Sequence, residues 1–157
     1  MKRPSLAIGA DHRGIEAVDH VAGRLRQAGF QVNLVACPAG ESCDYPDNAW
    51  RVGRAVADGE SDLGLLLCGS GIGLCIAANK IQGVRAALVH DELTAEMSRS
   101  HNDANVLCLP ADLLGHRIID KIIDRWLETP FEGGRHARRV KKIAAIERGE
   151  DPASIKD

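Results

Sequence analysis

The sequence predicts an α/β fold, a three-layer α/β/α sandwich around a five-stranded parallel sheet, and three observations predict it. Short apolar runs alternate with amphipathic, helix-length segments from end to end, the pattern of parallel strands joined by crossover helices. The runs are nearly continuous in hydrophobicity, as expected of strands covered on both faces. A chain of 157 residues, 45% hydrophobic and 27% charged, can build one well-buried core and is too short for two ordinary ones. One domain over residues 1–149 is expected, followed by a polar tail, 150–157, that frays.

The expected strands are Leu6–Ala10, Val32–Ala36, Leu63–Leu67, Val84–Val89 and Val106–Leu109, each Leu-rich or β-branched. Helices are expected at Gly14–Ala28, Pro46–Ala57, Ile72–Asn79, Glu92–Ser100, Gly115–Leu127 and Arg135–Glu147. Pro46 suits a first helical turn, where a missing N–H costs nothing. The longest irregular stretch between elements is Ala36–Tyr45, and no internal repeat is visible.

A net charge of −2 supplies no overall field for nucleic acid or an anionic membrane, so any anion must be held by a local cluster. Aromatics at 3% leave no stacking platform for single strands or carbohydrate rings. No apolar run approaches the roughly 20 residues needed to span a bilayer. The five cysteines are irregularly spaced, without CxxC and without a secretory leader ahead of them, which suggests a reducing, cytoplasmic setting.

Parallel sheets bind ligands at the carboxyl ends of their strands, so the loops that follow strands carry the chemistry. After the first strand, Gly9-Ala10-Asp11-His12-Arg13-Gly14 releases ionisable residues into a helix start. Asp11 can equally be a cap and His12 a surface residue. After the third strand comes Cys68-Gly69-Ser70-Gly71-Ile72-Gly73-Leu74-Cys75, where glycines let backbone N–H groups converge on an oxygen anion. The start of the following helix is expected to lower the pKa of a thiol at Cys68, although a free Cys is more often a small buried hydrophobe. Gly69, Gly71 and Gly73 do not make the dinucleotide fingerprint, which belongs after a first strand with different spacing. Leu74 stands where a Cys-x5-Arg phosphatase loop needs Arg.

The six His residues, at 12, 20, 90, 101, 116 and 136, form no ligand ladder, so neither metal nor cofactor is expected. His20 and His116 read as surface or capping residues. Two further polar clusters stand at Ser100-His101-Asn102-Asp103-Ala104-Asn105 and Glu132-Gly133-Gly134-Arg135-His136-Ala137-Arg138-Arg139. The first can be a turn and the second a solvated helix face. Arg135 and Arg139, four residues apart after Gly-Gly, nevertheless share one helical face suited to a phosphate group.

Ile8-Gly9-Ala10-Asp11-His12, Asp44-Tyr45-Pro46, Cys68 through Gly73, Ala77-Ala78-Asn79-Lys80, Val84-Arg85-Ala86-Ala87, His101 through Leu107 and Glu132 through Arg139, in that order, resemble the type B ribose-5-phosphate isomerases and the galactose-6-phosphate isomerase subunits. The resemblance covers nearly the whole chain. It implies a Rossmann-like fold and metal-independent, reversible aldose–ketose isomerisation of a phosphosugar through an enediolate. By resemblance Cys68 is the base between C1 and C2, and Ser70, where the family often has Thr, relays protons between the substrate oxygens. Backbone N–H groups around Gly69, Gly71 and Gly73 hold the enediolate. His101 opens the furanose ring, Asp11 orients the sugar hydroxyls, Tyr45 covers the sugar, and Asn102 binds the enediolate or sugar oxygens. His12, Arg135 and Arg139 match the phosphate contacts.

Sheet geometry adds a constraint of its own. Asp11, His12, Tyr45 and Cys68 belong at the edge where strands end, whereas His101 and Arg135 follow returning helices and belong at the opposite edge. A site containing all of them needs two chains, a homodimer or a tetramer built on the same contact, in agreement with the intersubunit sites the family implies. Departures concern the sugar: Asp112 stands where members acting on ribose 5-phosphate commonly carry Arg, and Val18, Asp47 and Asn48 also differ from common family residues. Ribose 5-phosphate leads, with tetrose or hexose phosphates, such as erythrose, allose or galactose phosphates, as alternatives. A non-catalytic phosphosugar sensor is the reading of a different class, and it has no use for a thiol beside an oxyanion hole.

Overall fold

The computed structural model describes residues 3–35 and 43–156. Five parallel strands, β1 (Leu6–Ala10), β2 (Val32–Val35), β3 (Leu63–Cys68), β4 (Ala86–Leu88) and β5 (Val106–Pro110), lie in the order β2-β1-β3-β5-β4. The helices are α1 (Ile15–Gln27), α2 (Tyr45–Ala57), α3 (Ile72–Ala78), α4 (Glu92–Ser100), α5 (His116–Glu128) and α6 (Arg135–Glu147). The three-layer α/β/α architecture is therefore as the sequence predicts. Residues 36–42 of the expected long loop, with Cys37 and the expected end of the second strand, lie outside the described residues.

The two-residue period of the strands sorts their side chains into two cores. Leu6, Ile8, Leu65, Leu67, Leu107 and Leu109 face α1 and α5, whose buried stripes include Val18, Val21, Leu25, Ile119, Ile122, Ile123 and Trp126. Ala7, Leu66, Cys68, Val106 and Cys108 face Val52, Val56, Leu74 and Ala78 of α2 and α3. Each fully buried Leu or Ile contributes about 1.5–3 kcal/mol.

This sorting puts the helix after β1 on one face and the helix after β3 on the other, although β1 and β3 are hydrogen-bonded neighbours. The carboxyl ends of β1 and β3 thus part company and leave a crevice between them. Gly14 holds the two together from below, because a Cβ there would lie 2.3 Å from the Leu67 carbonyl oxygen. On the far side, α6 buries only His136 and Ala145 of its 13 residues.

One expectation is corrected. The fourth strand is shorter than the apolar run Val84–Val89, since the Val84 N–H donates to Ile81 in a turn and only Ala86–Leu88 pair with β5. The tail contains a 3₁₀ turn, Pro152–Ser154, whose start is capped by the Asp151 carboxylate. Cys43 is disulfide-bonded, and Cys68, Cys75 and Cys108 are free thiols.

Candidate active site

Asp11, Tyr45, Cys68, Gly69, Ser70 and Gly73 line one cavity of about 390 Å³ at the β1/β3 crevice, together with Arg13, Asp112 and Leu113. Each loop supplies what its strand delivers. Cys68 is the last residue of β3 and is buried, with its Sγ accepting a hydrogen bond from the Gly71 N–H at 3.0 Å. Gly71 adopts φ +74°, and this left-handed turn, which a side chain resists, aims its N–H back at the sulfur. The Gly71 N–H is thus bonded to the thiol in this structure.

The expected lowering of the Cys68 pKa is overturned. Burial raises it above the ordinary 9.0, the Gly71 N–H offsets part of that, and the nearby Asp11 carboxylate adds to the rise. Desolvation is the largest of these effects and outweighs the hydrogen bonds that the loop N–H groups give the sulfur.

Asp11 is buried and its Oδ1 accepts from the Arg13 N–H at 2.9 Å and the Gly14 N–H at 3.2 Å. The capping reading is corrected, since Gly14 is the N-cap of α1 and has no side-chain cap bond; the Asp11 oxygen fixes the loop ahead of the helix while the residue lines the cavity. His12 follows Asp11 in that loop and is exposed. Tyr45 opens α2, and its ring lies so close over Gly73 that a Cβ there would be 2.6 Å from Cε2. Gly73 therefore serves as the floor on which Tyr45 rests. Asn48, fully buried one turn into α2, donates to the Ala10 carbonyl and so ties Tyr45's helix to the end of β1. The sequence marks Asn48 only as a departure, and its positioning role appears with the fold.

Arg13 and Asp112 are further cavity residues, joined by a hydrogen bond of 2.8 Å from Nε to Oδ2. The pair spans 99 residues and no local pattern announces it. Asp112 is itself fixed by its N–H to the Gly69 carbonyl at 3.2 Å.

The other expected residues gather elsewhere. His101 caps the end of α4, and its ring stacks on that of His136 with centroids 4.3 Å apart and planes within 1°. Arg135 and Arg139 lie on α6 next to this pair, and Asn102 lines a separate cavity of about 470 Å³ with Arg85, Ile143 and Ile146. Both groups belong to the amino edge of the sheet, where Asn105 accepts from the Gly64 N–H. Ligand atoms of His101, Glu132 and His136 come within 4.8 Å of one another. Parallel stacked rings run their in-plane lone pairs side by side, whereas a metal needs them to converge. His136 has its pKa held below the usual 6.5, by burial first and by His101 second. His20 and His116 also stack, at 4.5 Å, and His20 bonds Asp120, which joins α1 to α5.

The model of the Ribose/Galactose Isomerase family matches residues 6–143. D-erythrulose-4-phosphate isomerase of Pectobacterium atrosepticum is 42% identical over 147 residues, 93% of this chain and 97% of that protein. Ribose-5-phosphate isomerase B of Escherichia coli is 42% identical over 142 residues, 90% of this chain and 95% of that protein. Among solved structures, ribose-5-phosphate isomerase B of Clostridium thermocellum superposes with a TM-score of 0.90 at 43% identity, covering 92% of this chain and 98% of that one.

Proposed function

Because the chain belongs to the Ribose/Galactose Isomerase family, and is by that membership an aldose–ketose isomerase of phosphosugars, we propose that Cys68 is its base and that it interconverts ribose 5-phosphate and ribulose 5-phosphate. The observation that carries the reading is the placement of Cys68, a strand-end thiol in the β1/β3 crevice beside Asp11 and Ser70. The Cys68 thiolate takes the proton from C2 of the open-chain aldose, the carbonyl electrons move to O1, and the proton returns at C1 of the resulting enediolate. Ser70 passes a proton between O1 and O2, and N–H groups of the Gly69–Gly73 loop carry the oxyanion charge. Asp11 accepts from sugar hydroxyls, and Tyr45 covers the ring.

His101, Asn102, Arg135 and Arg139 complete the site from a second copy of the chain, His101 of the partner subunit opening the furanose. Two features support this arrangement. The residues belong to the opposite sheet edge, and α6 leaves Ile143 and Ile146 exposed as a helix stabilised by its own chain alone would not. Ile72 and Ile76 on α3 and Leu93 and Met97 on α4 are likewise exposed on the helices that enter and leave the edge strand β4.

The tetrose reading stands second, favoured by the relative that acts on D-erythrulose 4-phosphate and by Asp112 in the cavity wall. A panel of tetrose, pentose and hexose phosphates in deuterated water distinguishes these by which sugar gains deuterium at C1 or C2. Fastest exchange with the pentose supports ribose 5-phosphate. Exchange confined to the tetrose would overturn the substrate, and none on any member would overturn the reaction.

A further inference from the structure

The cavity beside Cys68 holds two carboxylates, Asp11 and Asp112, and among the described residues that line it the one cation is Arg13. A phosphorylated ligand brings further negative charge to this wall. Without Arg13 its approach would meet uncompensated carboxylates, in a concave site where charges are screened less than on an open surface. Electrostatics therefore requires Arg13 to face the anion and not merely to decorate the rim.

Geometry agrees. Arg13 has five N–H donors, and two nitrogens, Nε and Nη2, give one each to the single oxygen Oδ2 of Asp112. Three donors remain for a ligand. The side chain is 59% exposed, so those donors are accessible. The pair is seated over Gly69, where a Cβ would lie 2.8 Å from Asp112 Oδ2 and 2.9 Å from Arg13 Nε. Glycine at 69 is thus what lets the guanidinium approach the loop that carries the base. Asp112 is immobilised through its backbone on the same loop, so it can fix where the guanidinium sits.

We propose that Arg13 is a phosphate-binding residue of this chain's cavity and that Asp112 positions it, so that the carboxylate at 112 serves anion binding through its partner. The proposal rests on the phosphosugar reading for its substrate. It also makes the sugar's reach a matter of where Arg13 is held, since moving the cation along the wall changes which chain length places C1 and C2 at Cys68.

The test uses Arg13→Gln, Arg13→Lys, Asp112→Asn and Asp112→Glu in the full chain. Steady-state kinetics on the best phosphosugar of the panel are combined with calorimetric titration by inorganic phosphate. Arg13→Gln should raise KM and the phosphate Kd about ten- to a hundredfold, the loss expected for one charge-assisted contact, with kcat within about threefold of wild type. Arg13→Lys should recover part of the loss, keeping the charge without the fork. Asp112→Asn should raise KM by a smaller factor, and Asp112→Glu should restore part of it. Unchanged KM and phosphate Kd in Arg13→Gln would overturn the proposal, as would a fall in kcat alone that tracks a fall in Tm, which marks a structural tie. Phosphate titration needs no turnover, so a wild-type protein inactive on every sugar would refute the isomerase reading and leave the Arg13 result decisive.

Discussion

Refolding an equal mixture of Cys68→Ala and His101→Ala chains tests whether one site draws on two subunits. β3 carries Gly64, bonded to Asn105 near His101, at one end and Cys68, level with Pro110, at the other. Four residue steps at about 3.3 Å separate those ends by roughly 13 Å. A reacting group must come within about 3–3.5 Å of its atom, so this separation favours the proposed arrangement in which the two side chains come from different copies of the chain. Each variant alone should be inactive on a cyclic phosphosugar. In a mixed dimer one site carries both lesions and the other carries neither. Random pairing makes half the dimers mixed and half their sites intact, so about a quarter of wild-type activity should return. The assay is initial rate on a substrate that needs ring opening, with mixed dimers counted by mass on differentially tagged chains. Mixed dimers without recovered activity would refute the shared site, because sites built within one chain would each keep a lesion.

Other outcomes follow from the same geometry. With its pKa above 9.0, Cys68 should make kcat/KM climb about tenfold per pH unit from 7 to 9, and a plateau below pH 8 would mean that the thiolate is favoured after all. The same shift favours the thiol in the folded chain, so its contribution to stability is whole below pH 9.0 and is lost as pH rises through the higher folded value. Cys75, half-buried and lowered to about 7 chiefly by the Cys108 thiol, should be alkylated by iodoacetamide at pH 7.5 before Cys68, with substrate protecting Cys68 alone; peptide mass mapping reads both sites. Gly14→Ala drives a Cβ into the Leu67 carbonyl and should cost about 3 kcal/mol, lowering Tm by roughly 6 °C or more. Gly73→Ala meets the Tyr45 ring first, and that ring can swing aside, so it should raise KM with a Tm change of less than about 3 °C.

β1 was legible to the residue because an unbroken apolar run between a polar start and Asp11 leaves little choice of boundary. β4 is not, since Val84 is as buried as a strand residue yet lies in a turn, and the register with β5 holds only Ala86–Leu88. Hydrophobicity reports burial, and burial in a turn looks the same. The glycine loop and Asp11 were recognisable because strand ends concentrate chemistry in parallel sheets. Their electrostatics were not: the rise at Cys68 depends on packing by α2 and α3 and on Asp11, 57 positions earlier in the sequence. Arg13 stood inside a recognised motif, yet its partner at 112 is brought to it only by the adjacency of β1, β3 and β5. His101 and His136 stand in separate polar clusters of the sequence, and their stacking requires the chain to return to the same sheet edge twice.

Deuterium incorporation by Cys68→Ala tests the central claim most directly. The wild-type protein and the variant are incubated with the best phosphosugar in deuterated water, exchange at C1 and C2 is followed by proton magnetic resonance, and binding of the same sugar is measured by calorimetry. Loss of at least about a thousandfold in exchange rate, with sugar affinity within about threefold of wild type, is the predicted result for removal of the base. Exchange at a near-normal rate in Cys68→Ala would contradict it and assign the proton transfer to another group.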